Sequence, residues 1–205
     1  MEDIFKSEEQ SRYWTERYQD NRTGWDIGFP STPIKAYIDQ LDRKDLKILI
    51  PGAGNAYEAE YLWKNGFEHT HVMDISEMPL KAFAQRVPNF PADQLLQQNF
   101  FDHDEQYDLI FEQTFFCSFI PSRENRTAYA RQMANLIKPG GKLVGLWFKH
   151  PIDPTWTKRP FGGSKEEYQT YFEPYFKLRL MEDAYNSIPP RMGNELFAIM
   201  VRKAT

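Results

Sequence analysis

The segment Lys47-Ile48-Leu49-Ile50-Pro51-Gly52-Ala53-Gly54-Asn55-Ala56 constrains the fold more than any other part of the chain. An apolar run followed by Pro-Gly-Ala-Gly reads as a buried strand entering a tight glycine turn, with a helix beyond it. Twenty residues past Gly54 stands Asp74, within a second apolar run, Val72-Met73-Asp74-Ile75-Ser76. Glycines let the backbone approach a ligand closely, and a carboxylate at the tip of the next strand can accept hydrogen bonds from two vicinal hydroxyls. Together they form the geometry that holds a ribose.

The third small residue of a dinucleotide fingerprint is missing, because Tyr57 follows Gly54 by three positions. A bulky side chain there argues against NAD or FAD. No Gly-Lys-Ser/Thr follows the turn, so a phosphate-binding Walker loop is excluded. A nucleoside ligand without a pyrophosphate remains, and S-adenosylmethionine is the commonest such cofactor. The competing reading, an α/β turn that binds nothing, is disfavoured by Asp74.

The rest of the chain alternates as βαβ units do. Strands are expected at 47–50, 70–74, 94–98, 107–111 and 143–148, and helices at 56–65, at 77–86 capped by Ser76, and at 123–137. The last of these helices is expected to stop at Lys138-Pro139-Gly140-Gly141. Ser164-Lys165-Glu166-Glu167 reads as a capping box, and two later strand-like runs near 175–181 and 196–202 suit an antiparallel pair at the sheet edge. Ahead of this core, Ser7-Glu8-Glu9-Gln10 reads as another capping box, opening a helix that puts Trp14 and Tyr18 on one face. Aromatics and turn formers from Thr23 to Pro30 follow, and Pro33 starts a further helix.

The pattern predicts a single α/β domain over 1–205. Its core, 45–205, is a doubly wound, mostly parallel, Rossmann-like sheet with an antiparallel edge strand, and 1–44 form an N-terminal helical arm acting as a lid. At 205 residues the length fits one domain with a real core. No apolar run approaches the roughly 20 residues that span a bilayer, and the N-terminus lacks the basic start and apolar middle of a signal peptide. A cytoplasmic, monomeric protein with no membrane partner is expected. The net charge of -4 without basic runs speaks against nucleic acid, leaving a small molecule as the expected partner.

Cys117 is the sole cysteine, so neither an internal disulfide nor a thiolate metal cluster can form. None of His69, His71, His103 and His150 has metal-ligand company at a recognisable spacing, and Asp102, Asp104 and Glu105 read as a solvated loop. No metal is expected.

These motifs resemble those of class I S-adenosylmethionine-dependent methyltransferases, specifically the thiopurine S-methyltransferase and thiol/halide methyltransferase family. The likeness is carried by Tyr13-Trp14 through Tyr18 to Thr23-Gly24-Trp25-Asp26-Ile27-Gly28, by Met73-Asp74-Ile75-Ser76, by Tyr107-Asp108-Leu109-Ile110-Phe111 and by Phe115-Phe116-Cys117. The turns Pro51-Gly52-Ala53-Gly54 and Lys138-Pro139-Gly140-Gly141 are general to the class, whereas the Trp14/Tyr18/Trp25 spacing with Thr23-Gly24 is specific to the family.

The resemblance implies that Trp14, Tyr18 and Trp25 close over the methionine end of the cofactor, where a sulfonium gains cation–π attraction. It implies that Gly52 and Gly54 face the cofactor's amino-acid end, Asp74 takes the ribose hydroxyls, Ile75 packs on the adenine, and Asn99 and Phe100 lie at the adenine edge. Asn99 stands where relatives carry an aspartate, and Gln113, counted with the cofactor residues, where thiol and halide relatives carry a tyrosine. The resemblance places Arg126, Arg159-Pro160-Phe161 and Pro190-Arg191 in the pocket of the methyl acceptor, with no certain catalytic group.

The expected activity is methyl transfer to a small soft nucleophile, foremost the sulfur of a thiol or thiopurine. In-line transfer needs alignment and desolvation more than proton chemistry, and a general base is optional for an acceptor that arrives anionic. A halide, thiocyanate or other small acceptor is the alternative, and a non-catalytic nucleoside-binding protein a third reading.

Overall fold

The computed structural model describes residues 6–149 and 158–204. His150 falls outside them. Two helices, α1 (Ser7–Gln19) and α2 (Thr32–Ile38), precede β1 (Ile48–Pro51), α3 (Tyr57–Lys64), β2 (Thr70–Asp74), α4 (Glu77–Arg86) and β3 (Leu95–Gln97). There follow β4 (Tyr107–Gln113), α5 (Arg123–Leu136), β5 (Ile137–Phe148), α6 (Lys165–Phe172), β6 (Phe176–Asp183) and β7 (Glu195–Arg202).

The seven strands form one sheet in the order β3-β2-β1-β4-β5-β7-β6. The first five pair in parallel, whereas β7 runs antiparallel to both β5 and β6. The antiparallel strand therefore lies one place in from the edge that β6 forms. Successive side chains of a strand face opposite sides, and the central strands are apolar on both. Leu49, Ile110 and Leu143 pack with α5 and α6 on one side, while Ile48, Ile50, Leu109, Phe111 and Val144 pack with α2, α3 and α4 on the other. Strand order reverses between β1 and β4, and the crevice at the carboxyl ends of strands beside such a point is where doubly wound sheets take ligands.

Local chemistry explains most boundaries. Ser76, Ser122 and Ser164 each accept a backbone N–H of the helix they open. Two boundaries differ from the sequence reading. Ser7 is not a cap: the cap position is Lys6, and the Ser7 hydroxyl instead donates to Asp102 at 3.1 Å and accepts from Asn99 at 3.1 Å. Lys138–Gly141 do not separate α5 from the fifth strand, because Ile137 already pairs with Tyr107 and the glycines are absorbed as an irregularity inside β5.

These Ser7 bonds belong to a polar seam along α1. Ser11 Oγ donates to the Ile75 carbonyl at 3.1 Å, and Thr15 and Ser76 hydroxyls meet at 2.9 Å. The helix is thereby moored across the tips of β2 and β3, with Gln10 its one buried residue among those described and Tyr13, Trp14 and Tyr18 half-buried. Such a helix opens more readily than the sheet beneath it. Replacing Ser11 by Ala together with Thr15 by Val should speed amide exchange in α1 by about tenfold, from two lost hydrogen bonds, and leave exchange in β1 and β4 unchanged. Hydrogen exchange read by mass spectrometry checks this, and equal acceleration throughout would refute it.

Candidate active site

At the tip of β1 the chain turns through Gly52 at φ +57° and Gly54 at φ +54°, with Ala56 at φ +53° opening α3. A Cβ on Gly52 would stand 2.0 Å from Phe115 Cδ2, so both conformation and contact exclude a side chain there. The Gly54 N–H donates to Asp74 Oδ2 at 2.9 Å, and the Ser76 N–H to Oδ1 at 2.9 Å. The backbone of Ile75 also favours the ionised carboxylate, whose remaining acceptor capacity is open to a further donor. Burial pushes Asp74 up to about 6, with the backbone N–H groups pulling the other way.

A cavity of about 460 Å³ opens beside this turn, between α1 and the strand tips. One end is walled by Met73, Asp74, Ile75, Gln98, Asn99 and Phe100. Aromatic rings wall another part: Trp14 meets Trp25 edge to face with centroids 5.5 Å apart, and Tyr18 meets Trp25 at 5.7 Å. Tyr18 Oη would lie 3.0 Å from a Cβ on Gly54, so this helix reaches the glycine turn itself. Burial, with Asp74 close by, holds the Tyr18 phenol far above its ordinary range.

The third side comes from β4 and the late loops. Glu112, buried at the end of β4, accepts the N–H groups of Phe115 and Phe116 at 2.9 Å each, and burial pushes its carboxyl up to about 7. Thr114 sits between them at φ +55°, a conformation rare for a β-branched residue. The two bonds from Glu112 hold that strained turn against the cavity. Arg159 and Arg191 enter from the loops before α6 and β7, and Arg191 donates to the Trp25 carbonyl at 2.8 Å.

Of the residues singled out in the sequence, Trp14, Tyr18, Trp25, Gly52, Asp74, Ile75, Asn99, Phe100 and Arg191 line this cavity. The Asn99 amide is engaged at both ends, donating to Ser7 and accepting the Phe101 N–H at 3.0 Å. Gly54 lies behind the turn and acts through its bond to Asp74. Gln113 is turned away: with its amide oriented to satisfy its neighbours it donates to Ser31 at 3.0 Å and Glu58 at 2.7 Å, and accepts from Arg191 at 3.3 Å. It steadies Arg191 from outside the cavity.

Arg126 and Phe161, expected in the acceptor pocket, do not line the cavity. Arg126 is buried and donates to Glu167 at 2.8 Å and to the Gly162 carbonyl at 2.7 Å, with the Phe116 ring centre 5.1 Å away. These bonds pin α5 to α6 and to the loop before it. Phe161 is buried with its N–H on the Cys117 carbonyl. The neighbours Arg159 and Pro160 supply that loop's share of the wall.

Tyr13, Arg17 and Thr114 also line the cavity, and the sequence reading assigned none of them a role there. Helical spacing held the clue for Arg17, since residues 10, 14 and 17 share a face. Nothing local could announce the strain at Thr114. No group of His, Cys, Asp and Glu able to hold a metal occurs among the described residues, and none of their helices is long and apolar enough to cross a membrane.

A parallel sheet with one reversed strand, a glycine turn and a carboxylate at the tip of β2 define a class I, Rossmann-like methyltransferase. Solved structures agree on this fold. A Burkholderia thailandensis 1,6-didemethyltoxoflavin-N1-methyltransferase aligns with TM-score 0.75 and 16% identity, over 100% of this chain and 92% of that one. The N-methyltransferase NodS of Bradyrhizobium japonicum aligns with TM-score 0.68 and 16% identity, over 95% and 100%.

At the sequence level a family model for thiopurine S-methyltransferase matches residues 9–202. A probable thiol methyltransferase 2 of Arabidopsis thaliana is 31% identical over 195 residues, 92% of this chain and 84% of the relative. Thiocyanate methyltransferase 1 of Brassica oleracea is 28% identical over 188 residues, 89% and 81%. The chain belongs to the thiopurine S-methyltransferase family and is an S-adenosylmethionine-dependent methyltransferase of small molecules.

The placement of Arg126 has a measurable consequence. Arg126→Ala should lower the unfolding free energy by roughly 2 kcal/mol or more, because it strips a buried ion pair of one member. Affinity for S-adenosylhomocysteine should stay within about threefold. Denaturant unfolding and calorimetry read the two effects, and a stable variant with impaired acceptor KM would return Arg126 to the acceptor pocket.

Proposed function

We propose that this protein methylates the sulfur of a small thiol or thiopurine-like acceptor that enters the cavity as an anion. The observation that carries the reading is the polarity of one cavity: Asp74 beside the glycine turn at one end, and the guanidiniums of Arg17, Arg159 and Arg191 around the aromatic wall. The residues fit the cofactor. Asp74 offers its remaining acceptor capacity to vicinal hydroxyls, Ile75 and Phe100 offer apolar surface to a purine, and the glycine turn admits backbone approach that a Cβ would block.

When bound, S-adenosylmethionine supplies an electrophilic methyl group on a sulfonium. The protein's part is to orient and to exclude water. In this reading Trp14, Tyr18 and Trp25 close over the reacting end, residues 1–44 serving as the lid of a domain that spans 1–205. Arg159 and Arg191 favour an acceptor that has already lost its proton, as an opposite charge lowers the pKa of an acid. No lining residue is needed as a base. Cys117, at the cavity floor, is a poor nucleophile because burial and the nearby Glu112 carboxylate push its thiol up.

A second reading, a small inorganic anion such as thiocyanate as acceptor, is supported by the same cationic wall and by the relative named for that substrate. A panel of thiols, thiopurines, thiocyanate and halides with methyl-labelled cofactor separates the two. No turnover on any of them, despite cofactor binding, would overturn both.

Asp74 also fixes a pH dependence. Its folded value near 6 exceeds the ordinary 3.8, so its contribution to stability is full below the ordinary value and lost as pH rises through about 6. Ribose hydroxyls donate to the ionised form and oppose that loss. Affinity for S-adenosylhomocysteine should therefore rise about tenfold from pH 5 to pH 7, with a proton released near pH 6. In Asp74→Ala the affinity should fall about 100-fold and the slope with pH vanish. Calorimetry in buffers of different ionisation enthalpy checks this, and a pH-independent wild type would remove Asp74 from the site.

A further inference from the structure

The three guanidiniums that reach the cavity differ in their company. Arg191 has Glu195 at 3.4 Å and the Trp25 carbonyl at 2.8 Å. Arg159 donates to the Ser118 carbonyl and to the Tyr13 hydroxyl, and lies over the rings of Tyr13 and Trp14. Arg17 lies over the Trp25 ring, 5.5 Å from its centre, and its Nε is sealed from solvent with no hydrogen-bond partner among the described residues.

A cation in the last turn of a helix is favoured by the helix dipole, which would account for an arginine extended into water. It does not account for a side chain that lines the cavity over an indole, with an Nε stripped of water that no described residue accepts, since buried donors in native structures are paired. Position is informative as well. The ring that Arg17 covers carries its Nε1 to within 3.8 Å of where a Cβ on Gly54 would stand, so Trp25 links this guanidinium to the glycine turn. Arg17 lines the cavity with an indole behind it, and a guanidinium so placed matches a carboxylate in charge.

We propose that Arg17 is the carboxylate-binding residue of this cavity, its guanidinium closing on a ligand carboxylate with Trp25 as its backing. The inference rests on the methyl-transfer reading. Two ligands can bring that carboxylate, the amino-acid end of the cofactor or the acceptor, and proximity to the glycine turn favours the cofactor. Arg17 then acts as a binding residue that α1 delivers when it lies on the strand tips.

The test uses the full chain with Arg17→Gln and Arg17→Lys, each first matched to wild type in melting temperature. The ligands are S-adenosylhomocysteine and its decarboxylated analogue, and the acceptors are thioglycolate and hydrosulfide. Arg17→Gln should weaken S-adenosylhomocysteine about tenfold or more, leave the decarboxylated analogue within about twofold, and place Arg17→Lys between. Unchanged cofactor affinity with an approximately tenfold higher KM for thioglycolate, and none for hydrosulfide, would assign the carboxylate to the acceptor and also support the proposal.

Equal effects on ligands with and without a carboxylate, or no effect on any, would overturn it. Should Arg17→Gln not fold, Arg17→Lys decides by the same contrast between carboxylate and decarboxylated ligand. Wild-type protein that fails to bind S-adenosylhomocysteine would instead overturn the methyl-transfer reading.

Discussion

The carboxylate of Asp74 ties together the glycine turn after β1, the tip of β2 and the start of α4, adding side-chain bonds to the backbone pairing of β1 with β2. Its two oxygens take the N–H of Gly54 from the turn after β1 and the N–H of Ser76 from the start of α4. Those bonds lock the glycine turn to the tip of β2, and they also set the floor on which α1 rests, since Ser76 in turn meets Thr15. Burying the group is costly, as its raised pKa records. A buried carboxylate with open lone pairs facing a cavity suits a ligand that arrives with hydroxyl donors.

Around that anchor the site divides its work by polarity. The sheet contributes rigid elements: strand tips, glycines, and a β4 turn whose strain at Thr114 is held by Glu112. The arm contributes rings and a cation on a helix moored mainly by hydroxyl bonds. Rigid parts are suited to fixing a nucleoside, and a lightly moored part is suited to admitting and sealing off an acceptor. The three guanidiniums make the cavity hospitable to negative charge, and desolvation by the aromatic wall would strengthen every such interaction.

The sheet was legible because its signals are local and periodic: apolar strands bounded by turns, with serines opening helices. The position of Asp74 at the tip of β2 was legible from spacing. The tryptophan arm needed the family likeness, since nothing in the composition says that Trp14 and Trp25 face each other. Arg126 and Phe161 escaped because their neighbours come from distant segments, and a sequence does not disclose that Glu167 and the Gly162 carbonyl will claim a guanidinium. Gln113 escaped because alternation in β4 fixes a face but not the partners beyond it. Ser7 looked like a cap and instead bonds Asp102, ninety-five positions away.

The chemistry explains why such placements are decisive here. Displacement at a methyl group asks for no proton relay, so no compact motif of acid and base marks the reacting centre. Selectivity then rests on where charges and rings stand relative to one axis, and those positions come from α1, the glycine turn, the β4 tip and two late loops at once. Arg191 illustrates the dependence: Glu195 balances it, Gln113 steadies it, and it holds the Trp25 carbonyl, so one cationic side chain of the cavity wall also fixes the backbone that carries an aromatic ring of that wall. Reshaping one side of this cavity therefore moves the other, because the guanidinium of Arg191 and the Trp25 backbone are held together.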